Sequence, residues 1–216
     1  MRRSVLLALL LFLALPVQAE RFAVVAKSST LGFGLDISKP FGERWAARIA
    51  FNGLSFDRDI RETDVQYATD IDLRTAGLLL DWHPGGYAFR ISTGVFYNGN
   101  EARTIGRPTG GNFRINGQDY AAADVGSLNG TIDFKAAAPY VGIGFGNAGK
   151  RGFKFTIDIG ALYQSAPRVN LQVTCANSAV CSQLQDDVQA EVARLTDELS
   201  DYRWWPVIGI GIGWAF

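Results

Sequence analysis

Phe153-Lys154-Phe155-Thr156-Ile157-Asp158-Ile159-Gly160-Ala161-Leu162-Tyr163-Gln164 carries the pattern on which the fold turns. Phe153, Phe155, Ile157, Ile159, Ala161 and Tyr163 alternate with Lys154, Thr156, Asp158, Gly160, Leu162 and Gln164. A period of two, with one apolar and one mostly polar face, is a strand signature. In a soluble sandwich the apolar face points to a core; in a membrane barrel it points to lipid while the polar face lines the lumen. Alternation alone does not choose between them.

The pattern recurs in Leu31, Phe33, Leu35 and Ile37 against Gly32, Gly34 and Asp36, and in Trp45, Ala47, Ile49 and Phe51 against Ala46, Arg48 and Asn52. It returns in Tyr87, Phe89, Ile91, Thr93, Val95 and Tyr97 against Arg90, Ser92, Gly94 and Asn98. In a closed soluble core, Asp36, Arg48, Arg90, Lys154 and Asp158 would be buried together, and unpaired buried charge is costly. A narrow polar lumen accepts them, so these five are expected to point inward and to pair. Two stretches resist a clean reading. From Ala68 to Trp82, Asp70, Asp72 and Arg74 share one register, yet the run ends in Leu78-Leu79-Leu80. Ile132 and Phe134 have the opposite parity to Val141, Ile143 and Phe145, which predicts a β-bulge near Pro139.

The connections sort by length. Residues 39–43, 83–86 and 147–150 read as short turns, whereas 57–67, 99–129 and 165–203 are long, the short and long alternation of an outer-membrane barrel. Counting back from a last strand that ends in the periplasm requires a strand at Arg21 to Lys27, with a very short turn at Ser28-Ser29. The sum is an all-β, antiparallel transmembrane barrel of about eight strands with long external loops. Trp45, Tyr87, Phe153 and Trp214 then fall at one set of strand ends and Phe56, Tyr97, Tyr163, Trp204 and Trp205 at the other, as two aromatic girdles.

The N-terminus supports export. Arg2-Arg3, an apolar run from Val5 to Leu15, and Pro16-Val17-Gln18-Ala19 form a signal peptide over residues 1–19. The run is too short for a membrane helix, and no later stretch supplies about 20 apolar residues. The mature barrel, 20–216, holds 19 basic and 21 acidic side chains, a formal charge of −2, and nothing in it suggests nucleic acid. With 24 Gly but only 2 Cys in the chain, a disulfide-dense scaffold is excluded.

At the C-terminus, Ile208, Ile210, Ile212, Trp214 and Phe216 alternate with Gly209, Gly211, Gly213 and Ala215. This resembles the terminal strand of Gram-negative outer-membrane proteins, in which alternating apolar residues and a final Phe are read by the barrel-assembly machinery. With the signal peptide, the chain resembles the small OmpA-type or OmpX-type barrels over its mature length. The resemblance implies residence in the outer membrane, contact with its lipid and lipopolysaccharide, and an assembly signal at those five residues.

No catalytic signature stands out, and no metal site or cofactor is expected. The one His, His83, reads as a turn residue beside Pro84-Gly85-Gly86. Arg107-Pro108-Thr109-Gly110-Gly111 lacks the strand-to-helix setting and Lys-Ser/Thr pair of a phosphate loop. Cys175 and Cys181 are expected to form a disulfide in an oxidising compartment, with free thiols or metal ligands as the alternatives. Ser182 and Gln185 fit a capping box, and Leu184, Val188, Val192, Leu195 and Leu199 recur at helical spacing, so one loop helix should follow and pack over the barrel mouth. A partner-binding or cation-bridged surface against lipopolysaccharide is the functional alternative for that helix. Asn116-Gly117 predicts a hairpin inside the loop 99–129. The function expected is a structural or surface-interaction role with an external partner unnamed. A narrow pore or transport route for small solutes is the alternative, since Gly32, Gly34, Gly209, Gly211 and Gly213 leave space on the inner face.

Overall fold

The computed structural model describes residues 22–62, 65–85, 88–108, 110–146 and 151–216. The expected leader at 1–19, the start at Glu20, Tyr87 and the turn 147–150 lie outside them. Among the described residues, thirteen strands and one helix follow in chain order: β1 (Ala23–Ser29), β2 (Gly32–Phe41), β3 (Trp45–Glu62), β4 (Val65–Trp82), β5 (Phe89–Asn98), β6 (Glu101–Pro108), β7 (Asn112–Ile115), β8 (Gln118–Ala121), β9 (Val125–Asp133), β10 (Ala137–Phe145), β11 (Gly152–Tyr163), β12 (Arg168–Cys175), α1 (Cys181–Glu198) and β13 (Trp204–Ala215).

Eight of these strands close a barrel in the order β1-β2-β3-β4-β5-β10-β11-β13, antiparallel throughout, with β13 returning to β1. Alternation sends Phe33, Ile49, Leu78, Val141, Phe155 and Ile210 outward, and Asp36, Arg48, Asp81, Arg90 and Asp158 inward. Phe33 is 67% and Ile210 56% exposed, whereas Arg48 is 4% and Asp158 1% exposed. A water-soluble barrel would reverse that distribution.

The long connections are not irregular loops. Strands β3 and β4 each run 18 residues, about 60 Å at ~3.3 Å per residue, where a tilted membrane strand needs only about 9–11. Their outer halves continue into a side sheet ordered β3-β4-β6-β9-β12. It is the barrel wall carried past the rim. Strand β4 pairs with β5 (Thr75↔Asn98) and with β6 (Asp72↔Glu101) at one unchanged offset. Likewise β10 on β5 (Ala137↔Tyr97) and β9 on β6 (Asp133↔Glu101) share an offset. At the corner between β5 and β6, the Gly99 amide donates to the Arg74 carbonyl (2.8 Å) and the Arg74 amide donates to Asn100 Oδ1 (3.0 Å). Only the third corner slips: β11 on β10 (Leu162↔Tyr140) and β12 on β9 (Arg168↔Asp133) differ by one residue, and Ser165 between them takes φ 65°.

Several expectations are corrected by this continuity. No bulge interrupts Pro139, which pairs with Val95 in an unbroken run. Ile132 and Val141 differ in parity because the apolar face changes sides at the rim: below it apolar residues face outward, above it they face inward. The same inversion explains β4, where Leu78 and Leu80 lie on the outward face and Asp70 and Asp72 lie on that same face higher up. The first turn is Thr30-Leu31 rather than Ser28-Ser29, and Leu31 folds into the lumen (2% exposed) instead of facing outward.

The inward face of the side sheet is covered. Leu184 and Val188 of α1 bury with Ile115, Tyr120 and Val125 against Tyr67, Leu128, Leu171 and Val173. Helix α1 thus lies on the sheet face that continues the lumen wall, meeting β12 and the β7–β8 hairpin. That hairpin turns at Asn116 (φ 51°) and Gly117 (φ 77°), the left-handed pair an Asn-Gly turn supplies. A disulfide joins Cys175 at the end of β12 to Cys181 at the start of α1. The helix is capped at Val180 with no side-chain bond, so Ser182 sits inside the first turn and the capping box does not form.

Candidate functional site

Among the described residues, the barrel lumen is where the fold gathers buried charge. All five expected residues meet there, and the structure adds Lys27 and Asp81, whose facing the sequence left undecided. Arg48 is the hub. Its Nε and Nη2 donate to Asp81 Oδ2 and Oδ1, both at 2.9 Å, and its Nη1 donates to Asp36 Oδ2 at 2.9 Å. Lys27 Nζ bridges Asp36 Oδ2 (3.1 Å) and Asp158 Oδ2 (2.9 Å). Arg90 Nη2 donates to Asp158 Oδ1 (2.7 Å), and its Nη1 donates to the Gly146 carbonyl (3.0 Å). Ser92 Oγ donates to Asp81 Oδ1 (2.5 Å) and accepts from Arg48 Nη2 (3.1 Å). A forked, hydrogen-bonded arrangement of this kind is what lets ionised groups persist away from water.

Toward the side-sheet end, the network gives way to an apolar layer of Leu31, Ala50, Leu79, Phe96, Ala138, Tyr140, Leu162 and Val207, with Trp205 packed against it. Inner-wall glycines make room for the rings. A Cβ at Gly142 would stand 2.3 Å from the Tyr140 hydroxyl, and one at Gly160 2.5 Å from it. Phe96 meets Tyr140 edge-on with ring centroids 5.6 Å apart. The glycines read as leaving space are met by groups of adjacent strands, Asn52 beside Gly34, Lys27 beside Gly209, and Val25 and Thr156 beside Gly211.

The remaining expected positions are placed as follows. Ile208, Ile210, Ile212, Trp214 and Phe216 all face outward along β13 and its end, and Phe216 stacks on Phe22 at 4.8 Å. Trp45, Phe153, Trp214, Tyr97 and Trp204 are outward and at strand ends, and Trp82 joins the turn-end girdle beside Trp45 (6.1 Å). Trp205 turns inward onto the apolar layer, and Phe56 shares the inward face of the side sheet, so neither belongs to a girdle. His83 sits next to the turn residues Pro84 and Gly85, and its side chain is buried, lining the turn-end chamber of the lumen. Its backbone amide donates to the Arg44 carbonyl at 2.7 Å. A lone His next to Pro and Gly carries no sign of that inward turn. Among the described residues there is no cluster of three metal-ligating side chains, and no helix is long and apolar enough to cross a membrane.

No family model and no curated protein matches this chain. Among solved structures, CarO2 of Acinetobacter baumannii aligns at 20% identity with a TM-score of 0.57, over 91% of this chain and 99% of that one. CarO of the same organism aligns at 21% identity with a TM-score of 0.57, over 90% and 97%. A major outer membrane protein from Thermus thermophilus aligns at 14% identity with a TM-score of 0.48, over 92% and 100%. The first two likenesses, together with the inside-out burial above, show the fold of the small outer-membrane barrels.

Proposed function

We propose that this chain resides in a Gram-negative outer membrane as a plugged barrel whose role is to hold a structured platform at the cell surface. The observation that carries this is the inversion at the rim. The strands are apolar outward over the barrel and polar outward over the side sheet, where Arg168 pairs with Asp133, Arg103 with Glu101 and Arg74 with Asp72. Lipid therefore suits the first zone and water the second. The side sheet, the β7–β8 hairpin and disulfide-anchored α1 form a folded surface too ordered for a passive connection, which supports an interaction role with a partner outside the cell. The charge network and the apolar layer beside it favour this reading over a steady pore. Lipopolysaccharide is the natural neighbour of the rim, and the barrel-assembly machinery is the expected reader of β13.

The test is surface labelling. Single cysteines introduced at Gln172 on the platform and at Glu43 in a short turn, in a chain lacking Cys175 and Cys181, are exposed to a membrane-impermeant thiol reagent in intact cells. Labelling at 172 and protection at 43 are expected; the reverse, or labelling of neither with the protein absent from the outer-membrane fraction, overturns the proposal.

A further inference from the structure

Four Asn-Gly pairs stand in the chain, at 52–53, 98–99, 116–117 and 129–130. In such a pair the backbone nitrogen of Gly can attack the Asn side-chain carbonyl, and Gly has no side chain to hinder the approach. The attack needs a Gly amide free of the hydrogen-bond ladder and a backbone able to bend, so the fold decides which pair reacts.

Three of the four are held. Gly53 lies between Phe33 of β2 and Arg74 of β4, and Gly130 lies between Thr104 of β6 and Leu171 of β12. The Gly99 amide donates to the Arg74 carbonyl at 2.8 Å, and Asn98 before it is buried. Asn116-Gly117 differs. It is the two-residue turn between β7 and β8, both residues are exposed, and a Cβ on Gly117 would meet nothing within 4 Å. Among the described residues no group accepts from the Gly117 amide. Exposed turn tips are also where local opening costs least.

Asn116 is the point at which this turn meets α1. Its Nδ2 donates to Asp187 Oδ1 at 3.0 Å, and its backbone amide donates to Glu191 Oε2 at 3.2 Å. A side-chain amide here feeds two carboxylates; a carboxylate here would repel both.

We propose that Asn116 is a self-modifying site whose deamidation unlatches the β7–β8 turn from α1. Once the turn opens, the Gly117 nitrogen bonds to Asn116 Cγ, the Cγ–Nδ2 bond breaks, and ammonia leaves with the Gly117 proton. Water then opens the cyclic imide at either carbonyl, giving Asp or isoaspartate. Both products replace the Nδ2 donor with an anion facing Asp187 and Glu191, and new negative charge beside acids disrupts a contact. Isoaspartate also lengthens the backbone within the turn. The disulfide still ties α1 to β12, so the loosening is confined to the hairpin and the helix.

The experiment incubates the purified full-length barrel in detergent at mildly alkaline pH and follows it by peptide mass mapping. Asn116 should convert ahead of Asn52, Asn98 and Asn129, a lead it should lose in the denatured chain. The converted protein, separated by its added charge, needs no refolding. In it, amide exchange in β7, β8 and the first half of α1 should be about ten- to a hundredfold faster, the value of a hydrogen bond to a charged group, with the barrel wall unchanged. Asn116→Asp should show the same acceleration. Earlier conversion at another Asn-Gly pair, an equal lead for Asn116 in the denatured chain, or unchanged exchange in the converted protein would overturn the proposal.

Discussion

Arg48 shows how much one residue carries. It touches Asp36, Asp81 and Ser92 directly and approaches Asp158 at 3.8 Å. Arg48→Ala would leave buried carboxylates short of a partner, a loss of the kind that costs about 3–5 kcal/mol. The variant should unfold at correspondingly lower denaturant than the parent in detergent, and an unchanged midpoint would show that the network adds little. Arg48 was readable because it interrupts an otherwise apolar alternation, as do Asp36, Arg90, Lys154 and Asp158. Asp81 was not, because Leu78-Leu79-Leu80 beside it leaves both parities apolar. Leu31 was misread for a related reason: period two assumes an extended chain, and a two-residue turn ends it.

Among the elements, the β7–β8 hairpin and α1 are joined by groups that titrate. The Tyr120 hydroxyl donates to Asp187, and Asn116 Nδ2 donates to Asp187 Oδ1 at 3.0 Å. The bond from Tyr120 and then that from Asn116 hold the Asp187 carboxyl below its usual range. Burial and then the Asp187 bond push the Tyr120 hydroxyl up to about 12. A lowered acid stabilises above its ordinary pKa and loses that contribution as pH falls through the depressed value. A raised phenol stabilises below about 10 and loses its contribution as pH climbs through about 12. Amide exchange in β7 and β8 should therefore be slowest, relative to a Tyr120→Phe control, between the ordinary carboxylate and tyrosine values, and the difference should vanish at either extreme. A pH-independent difference would refute the latch. Strand β13 makes a different demand. Deleting Phe216 removes the last outward ring of the resembled assembly signal and its stacking on Phe22, so steady-state levels in the outer membrane should fall several-fold. Normal accumulation at normal speed would remove the basis for that signal. Strands β2, β3, β5, β11 and β13 were legible because each keeps its parity within the membrane zone. The side sheet was not, since the apolar face of the same strands moves from the lipid side to the helix side at the rim. Period two cannot report which medium a face meets.

Across the whole molecule, an apolar exterior below the rim, a polar exterior above it and a charge-paired lower lumen describe a barrel suited to lipid, and the role proposed for it requires a lumen closed to ions. Opposite charges that bond one another do not serve as a hydrated path, and the layer of Leu31, Phe96, Tyr140 and Leu162 packs together above them. The most direct measurement is current through planar bilayers containing the purified, full-length protein. The unaltered barrel should show no steady, reproducible conductance, and small irregular currents should appear once Arg90→Ala loosens the plug. A stable unitary conductance from the unaltered barrel, as a water-filled porin lumen gives, would contradict a plugged lumen.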